Sequence, residues 1–93
     1  MDVSVLVPLF NEAESLPSLH AWIVRVMKEH ALSYEIVFVN DGSNDDSWQV
    51  IQSLREQDEH VKGICFRRNY GKSAALHCGF QMVQGDVVIN MDV

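Results

Sequence analysis

The 93-residue sequence predicts an α/β fold, a parallel sheet of four strands with helices on both faces. Four short apolar runs rich in β-branched residues alternate with three segments whose apolar residues recur at helical spacing. The connections between them are short, and strand–helix alternation of this kind makes neighbouring strands parallel. Residues 3–7 form the first strand, closed by Pro8, and their unbroken apolar character marks a strand covered on both faces. Over residues 14–30, Leu16, Leu19, Ile23, Val26 and Met27 define one apolar helical stripe. Pro17 is tolerated in the first turn, where its missing N–H has no partner to lose. Residues 34–39 read as a second buried strand, and Asn40, Asp41, Gly42, Ser43, Asn44 and Asp45 as the turn after it. Trp48, Ile51 and Leu54 mark the next helix, with Asp45 and Asp46 placed to favour its positive end. Residues 61–66 are the third strand. A helix over residues 72–83 is expected to stop at Gly85, which can take the left-handed conformation. Residues 86–91 are the fourth strand.

The chain is one domain or a piece of one, without internal repeat, low-complexity segment or linker. With 47% hydrophobic and 22% charged residues it can form a packed core, which excludes disorder. Its net charge of -6 argues against nucleic acid as a partner, which calls for a basic face. The few basic residues therefore carry information where they cluster, at Lys62, Arg67, Arg68 and Lys72. Cys65 and Cys78 match no metal-ligand spacing and read as reduced core thiols of a cytoplasmic protein. Met1 is followed at once by Asp2 and a short strand, not by a signal peptide, and no apolar run approaches the roughly 20 residues of a membrane helix. Trp22, Trp48, His77 and Met82 are expected in the core; His20, His30 and His60 are expected on the surface without forming a metal cluster.

In parallel α/β sheets ligands sit beyond the carboxyl ends of the strands. Polar residues follow every strand here: Asn11 and Glu12, Asn40 and Asp41, the basic stretch from Arg67 to Lys72, and Asp92. Acids at three of four strand ends exceed what a purely structural domain requires, so the strand ends are read as a ligand site. Three familiar motifs do not account for it. Gly71-Lys72-Ser73 ends like a phosphate-binding loop, but Phe66 stands where that loop needs its first glycine. The acidic segment over residues 41–52 has Asp46 and Gln52 where a calcium loop needs Gly and Glu. No G-x-G-x-x-G follows the first strand.

Four segments together carry a specific resemblance. Val5-Leu6-Val7-Pro8-Leu9-Phe10-Asn11-Glu12 resembles the first-strand motif of family 2 glycosyltransferases, and Val39-Asn40-Asp41-Gly42-Ser43, with Asp45, resembles their second. Arg68-Asn69-Tyr70-Gly71-Lys72-Ser73-Ala74-Ala75-Leu76 is similar to the stretch found in the branch that glycosylates polyprenyl phosphates, the dolichol-phosphate mannose synthase-like enzymes. Asn90-Met91-Asp92-Val93 resembles the start of the family's D-x-D motif. The likeness spans the whole chain, in the family's order.

It implies the Rossmann-like, nucleotide-binding half of a GT-A fold, with the first strand central, the second and third to one side and the fourth to the other. It implies that Pro8, Phe10, Asn11 and Glu12 cradle base and ribose, although Pro8 serves equally well as a strand terminator. Asp41 is expected to accept hydrogen bonds from base or ribose, with Gly42 and Ser43 in the turn beside it. Arg68, Asn69 and Lys72 are expected at the nucleotide's edge, Lys72 and an arginine supplying charge and Asn69 shaping the loop. Asp92 is expected to bind Mg²⁺ or Mn²⁺, which would bridge the donor's diphosphate. The activity implied is inverting transfer of a sugar from a UDP- or GDP-linked donor to a lipid phosphate at the cytoplasmic face of the membrane. The chain alone, ending at Val93 without an acceptor half or general base, is expected to be inactive, and to self-associate through an exposed fourth strand. Within the family the alternative is an enzyme that extends a polysaccharide or glycan. Outside it the alternative is a receiver-like or flavodoxin-like module; a receiver would need an Asp ending the third strand, where Arg67 and Arg68 stand.

Overall fold

The structure, a computed structural model, describes residues 1–93. Seven elements alternate as expected: β1 (Val3–Leu9), α1 (Leu16–Glu29), β2 (Tyr34–Asn40), α2 (Ser47–Gln57), β3 (Val61–Cys65), α3 (Lys72–Phe80) and β4 (Val87–Asn90). All pairings are parallel and the order is β3-β2-β1-β4, so β1 is central.

Alternation along the strands divides the core into two layers. Val3, Val5, Val7 and Leu9 of β1, with Tyr34, Ile36 and Phe38 of β2, pack against Leu16, Ile23 and Met27 of α1 and Ile51 and Leu54 of α2. On the opposite face Leu6, Val37 and Val39 meet Ala75 of α3. Two small residues seat α3 closely: a Cβ at Gly79 would lie 2.3 Å from Leu6 Cδ1. After β3 the chain crosses back over the sheet to reach β4, which leaves α1 and α2 on one face and α3 on the other.

Several expectations are corrected. Pro8 does not close β1; it lies within it, opposite Val39. The Asp2 and Leu6 carbonyls accept from Val87 and Met91 of the β4 segment, so even-numbered residues of β1 face β4. Pro8 shares that orientation but lies beyond the last β4 pair, Leu6 with Asn90, where its missing N–H costs no ladder bond. Helix α3 ends at Phe80, short of residue 83, and Gly85 is not its stop. A Cβ at Gly85 would lie 2.5 Å from the Ser4 nitrogen, so this glycine permits close passage over β1. Trp22, His77 and Met82 are exposed, and only Trp48 packs on the core. Cys65 is exposed because β3 is an edge strand; both thiols are free.

Candidate active site

The carboxyl ends of the strands open into one cleft of about 490 Å³. Pro8, Leu9, Phe10 and Glu12 line it from the end of β1, and Asp41 from β2. Asn69, Gly71 and Lys72 line it from the loop that opens α3, and Asp92 and Val93 from beyond β4. All three strand-end acids thus reach the same space. Of the expected site residues, Pro8, Phe10, Glu12, Asp41, Asn69, Lys72 and Asp92 line the cleft; Asn11, Gly42, Ser43 and Arg68 do not.

Those four lie in or against the loops that build it. Asn11 has a left-handed φ of 54°, which brings its side chain across to the β2–α2 loop. There its Oδ1 accepts from the Asn44 and Asp45 amides at 2.7 and 3.3 Å. Its own N–H donates to Ser43 Oγ at 2.8 Å. The Glu12 N–H donates to Ser47 Oγ at 3.0 Å, and the Ala13 N–H to Asp45 Oδ2 at 3.2 Å. Asp45 also accepts from the Ser47 hydroxyl and amide, which holds its carboxyl below the usual carboxylate range. The two loops are therefore laced by five bonds, and Phe10 and Glu12 are carried on a fixed frame.

Asp41 builds the third wall. Only 5% exposed, it accepts from the Tyr70 amide at 2.8 Å and the Gly71 amide at 3.0 Å, one on each oxygen. Gly42 is required beside it for two reasons. Its φ is +69°, and a Cβ would lie 2.1 Å from the Arg68 carbonyl carbon. Loop shape therefore comes from Asp41 and Gly42, while Asn69 lines the cleft without a side-chain hydrogen bond in the chain. Arg68 lies with its guanidinium 4.9 Å from the Tyr70 ring, and Tyr70 meets Phe66 edge-on at 5.6 Å.

Two features point to a polar ligand. Glu12 Oε2 is buried without a hydrogen-bond partner, in a residue that lines the cleft. Gly71, unforeseen as a site residue, caps α3 with φ 98° and lines the cleft, and it brings no side chain to cover that helix start. A glycine immediately before a helix was the signal that would have found it.

Lys72 Nζ pairs with Asp92 Oδ1 at 2.5 Å across the mouth. No group of three acidic, histidine or cysteine side chains converges to hold a metal ion. Asp92 offers one carboxylate, whose oxygens suit a hard divalent cation that takes most of its ligands from elsewhere.

The sequence model described as Glycosyl transferase family 2 matches residues 4–93. Undecaprenyl-phosphate 4-deoxy-4-formamido-L-arabinose transferase of Pseudomonas fluorescens (strain SBW25) is 42% identical over 91 residues, 97% of this chain and 27% of that protein. The putative glycosyltransferase CsbB of Bacillus subtilis (strain 168) is 42% identical over 90 residues, with the same coverage of both chains. Among solved structures, S. aureus TarS 1–349 in complex with UDP matches with a TM-score of 0.81 at 23% identity, over 99% of this chain and 27% of that one. The mannosyltransferase PcManGT from Pyrobaculum calidifontis, in complex with GDP-Man and Mn²⁺, matches at 0.76 and 23%, over 97% and 26%. These two likenesses establish the fold. The chain spans about a quarter of the length of the curated relatives it matches.

Proposed function

The chain belongs to glycosyl transferase family 2, and from that premise we propose that these residues are the nucleotide-sugar-binding, N-terminal part of an enzyme that glycosylates a polyprenyl phosphate with inversion. The observation that carries the nucleotide reading is the unpartnered acceptor of Glu12, a residue that lines the cleft. Glu12 Oε2 has been taken out of water without a partner, which stands at a cost until a donor arrives. Once the side chain turns toward the cleft, a ribose hydroxyl or a base N–H would supply one, and a charge-assisted bond there is roughly twice as strong as a neutral one. Phe10, 42% exposed at the cleft wall, offers an apolar face to base or ribose. The amides at the start of α3, with Lys72, suit the diphosphate. UDP and GDP fit this description equally.

In the proposed reaction an oxygen of the acceptor phosphate attacks the anomeric carbon from the face opposite the leaving group. The bond from that carbon to the nucleoside diphosphate breaks, and its electron pair stays on the diphosphate. A phosphate acceptor is already anionic at neutral pH, so the step makes little demand on a general base. Lys72 would hold the diphosphate through its ammonium, and Asp41 would keep the Asn69–Gly71 side of the cleft in place. Asp92 would hold a Mg²⁺ or Mn²⁺ ion, which supplies Lewis-acid stabilisation of the leaving diphosphate. Undecaprenyl phosphate in the relatives' names supports a polyprenyl phosphate acceptor. Such an acceptor sets the enzyme at the cytoplasmic face of a membrane; no helix of this chain is long and apolar enough to cross one.

The test is transfer by the full-length protein from UDP- and GDP-linked sugars to a polyprenyl phosphate in detergent, with Mg²⁺, Mn²⁺ or chelator. The reading expects a lipid-linked sugar phosphate of inverted anomeric configuration, lost on chelation and lost in Asp92→Ala. Transfer to a glycan instead of the lipid would favour a polysaccharide-extending enzyme. Full turnover under chelation would remove the metal from the account.

A further inference from the structure

Lys72 and Asp92 reach each other from different elements, the first turn of α3 and the segment after β4. Both stay accessible, with side chains 59 and 74% exposed, and neither has a second charged partner. The pair stands among the residues that line the cleft, where Lys72 is the one basic side chain beside the carboxylates of Glu12, Asp41 and Asp92.

We propose that Lys72 is a placeholder cation for Asp92, exchanged for a divalent cation when a nucleoside diphosphate enters, with the freed ammonium passing to the diphosphate. The proposal rests on the reading of Asp92 as a cation ligand. Charge balance argues for it. A divalent cation arriving alone meets a carboxylate already neutralised and must drive an ammonium into solvent. A nucleoside diphosphate arriving alone meets Lys72 already paired with Asp92, and drawing the ammonium away leaves that carboxylate uncompensated beside the phosphates. When both arrive, one exchange resolves both conflicts: the ammonium moves from carboxylate to phosphate and the divalent cation takes its place. The two ligands then favour each other's binding, and the coupling is reciprocal. A lysine suits this role because its ammonium is a compact charge on a flexible stem, able to change partner without leaving the cleft.

The experiment is Mn²⁺ titration of the full-length protein, following free Mn²⁺ by electron paramagnetic resonance, with and without saturating UDP or GDP. Wild type is compared with Lys72→Gln and Asp92→Asn, both changes at exposed positions. Lys72→Gln should tighten Mn²⁺ binding in the absence of nucleotide by about two- to fivefold, the range an exposed ion pair supports. The factor by which nucleotide tightens Mn²⁺ binding should shrink correspondingly in that variant. An unchanged factor would mean that Lys72 acts only as a nearby charge, and so would overturn the exchange while leaving the metal reading intact. Failure of nucleotide to tighten Mn²⁺ binding in wild type would likewise overturn the exchange, whereas wild-type Mn²⁺ binding by Asp92→Asn would remove Asp92 as the ligand and the exchange with it.

Discussion

Glu35 is 1% exposed, yet it lies within an apolar strand and keeps its charge. Its Oε1 accepts from Lys62 Nζ at 2.6 Å, and its Oε2 from Ser4 Oγ at 2.5 Å and the Gln84 amide at 2.6 Å. Ser4 Oγ in turn accepts from the Gly85 amide at 2.8 Å. One carboxylate thus ties β1, β2, β3 and the α3–β4 connection together. Burial pushes the carboxyl up, but the bonds from Lys62, Ser4 and Gln84 outweigh it and hold it below the usual glutamate range. A carboxyl lowered in the folded state stabilises the fold above its unfolded value of about 4.3. That contribution is lost as pH falls through the lowered folded value. Glu35→Gln should therefore cost about 2 kcal/mol at pH 7, since the bonds from Ser4 and Gln84 lose their charged acceptor while the Lys62 ammonium, 40% exposed, can turn to water. The cost should fade as pH falls below the unfolded value and on toward the lowered folded one; urea unfolding at pH 7 and at the most acid pH where the fold persists measures both. Equal costs at both would show that the bonds, not the charge, are what matters. The importance of Glu35 was not legible in the sequence, because its partners lie on three other segments and only the register brings them together.

Helix α1 ends in a way that composition does not favour. The Leu32 amide donates to the Met27 carbonyl and the Ala31 amide to that of Lys28, the paired bonds of a Schellman turn, with Ala31 at φ 53°. Glycine takes that conformation without steric penalty, whereas an L side chain pays about 1–2 kcal/mol there. After allowing for glycine's greater freedom in the unfolded chain, Ala31→Gly should stabilise the protein by about 0.5–1 kcal/mol. Thermal or chemical denaturation reads it, and a lower midpoint would contradict this account of the turn. All seven elements were legible from periodicity and β-branched runs, with errors confined to ends. Those errors share a cause: residues that usually punctuate chains act otherwise here. Pro8 continues a strand because no partner needs its N–H, and Gly85 admits the Ser4 backbone instead of ending a helix. Of the misplaced core residues, Trp22 and His77 lie on exposed faces of α1 and α3, and Met82 falls in the turn after α3.

Across the whole molecule, β4 is one edge of the sheet, and its Val87 and Ile89 side chains are exposed. Val87 and Met91 donate toward β1, so the Val88 and Asn90 backbone groups face outward from the free edge. Such an edge pairs readily with another chain. The 93-residue chain should self-associate with rising concentration, as seen by light scattering, and a monomer at all concentrations would contradict it. The site was legible as a set of strand ends, since a parallel sheet must gather those ends on one side. Its inner structure was not. That Asn11 and Ser43 lace two loops, and that Asp41 holds a third, depends on hydrogen bonds spanning about thirty positions. The central claim is that this gathered cleft binds a nucleoside diphosphate through Glu12 and through walls set by Asp41. Calorimetric titration of the full-length protein with UDP and GDP tests it most directly, with Glu12→Gln and Asp41→Ala in parallel. The account predicts saturable binding of at least one nucleotide, weakened about tenfold by each substitution, as loss of a charge-assisted bond or of its supporting wall implies. Binding of neither nucleotide, or affinities untouched by both substitutions, would contradict it.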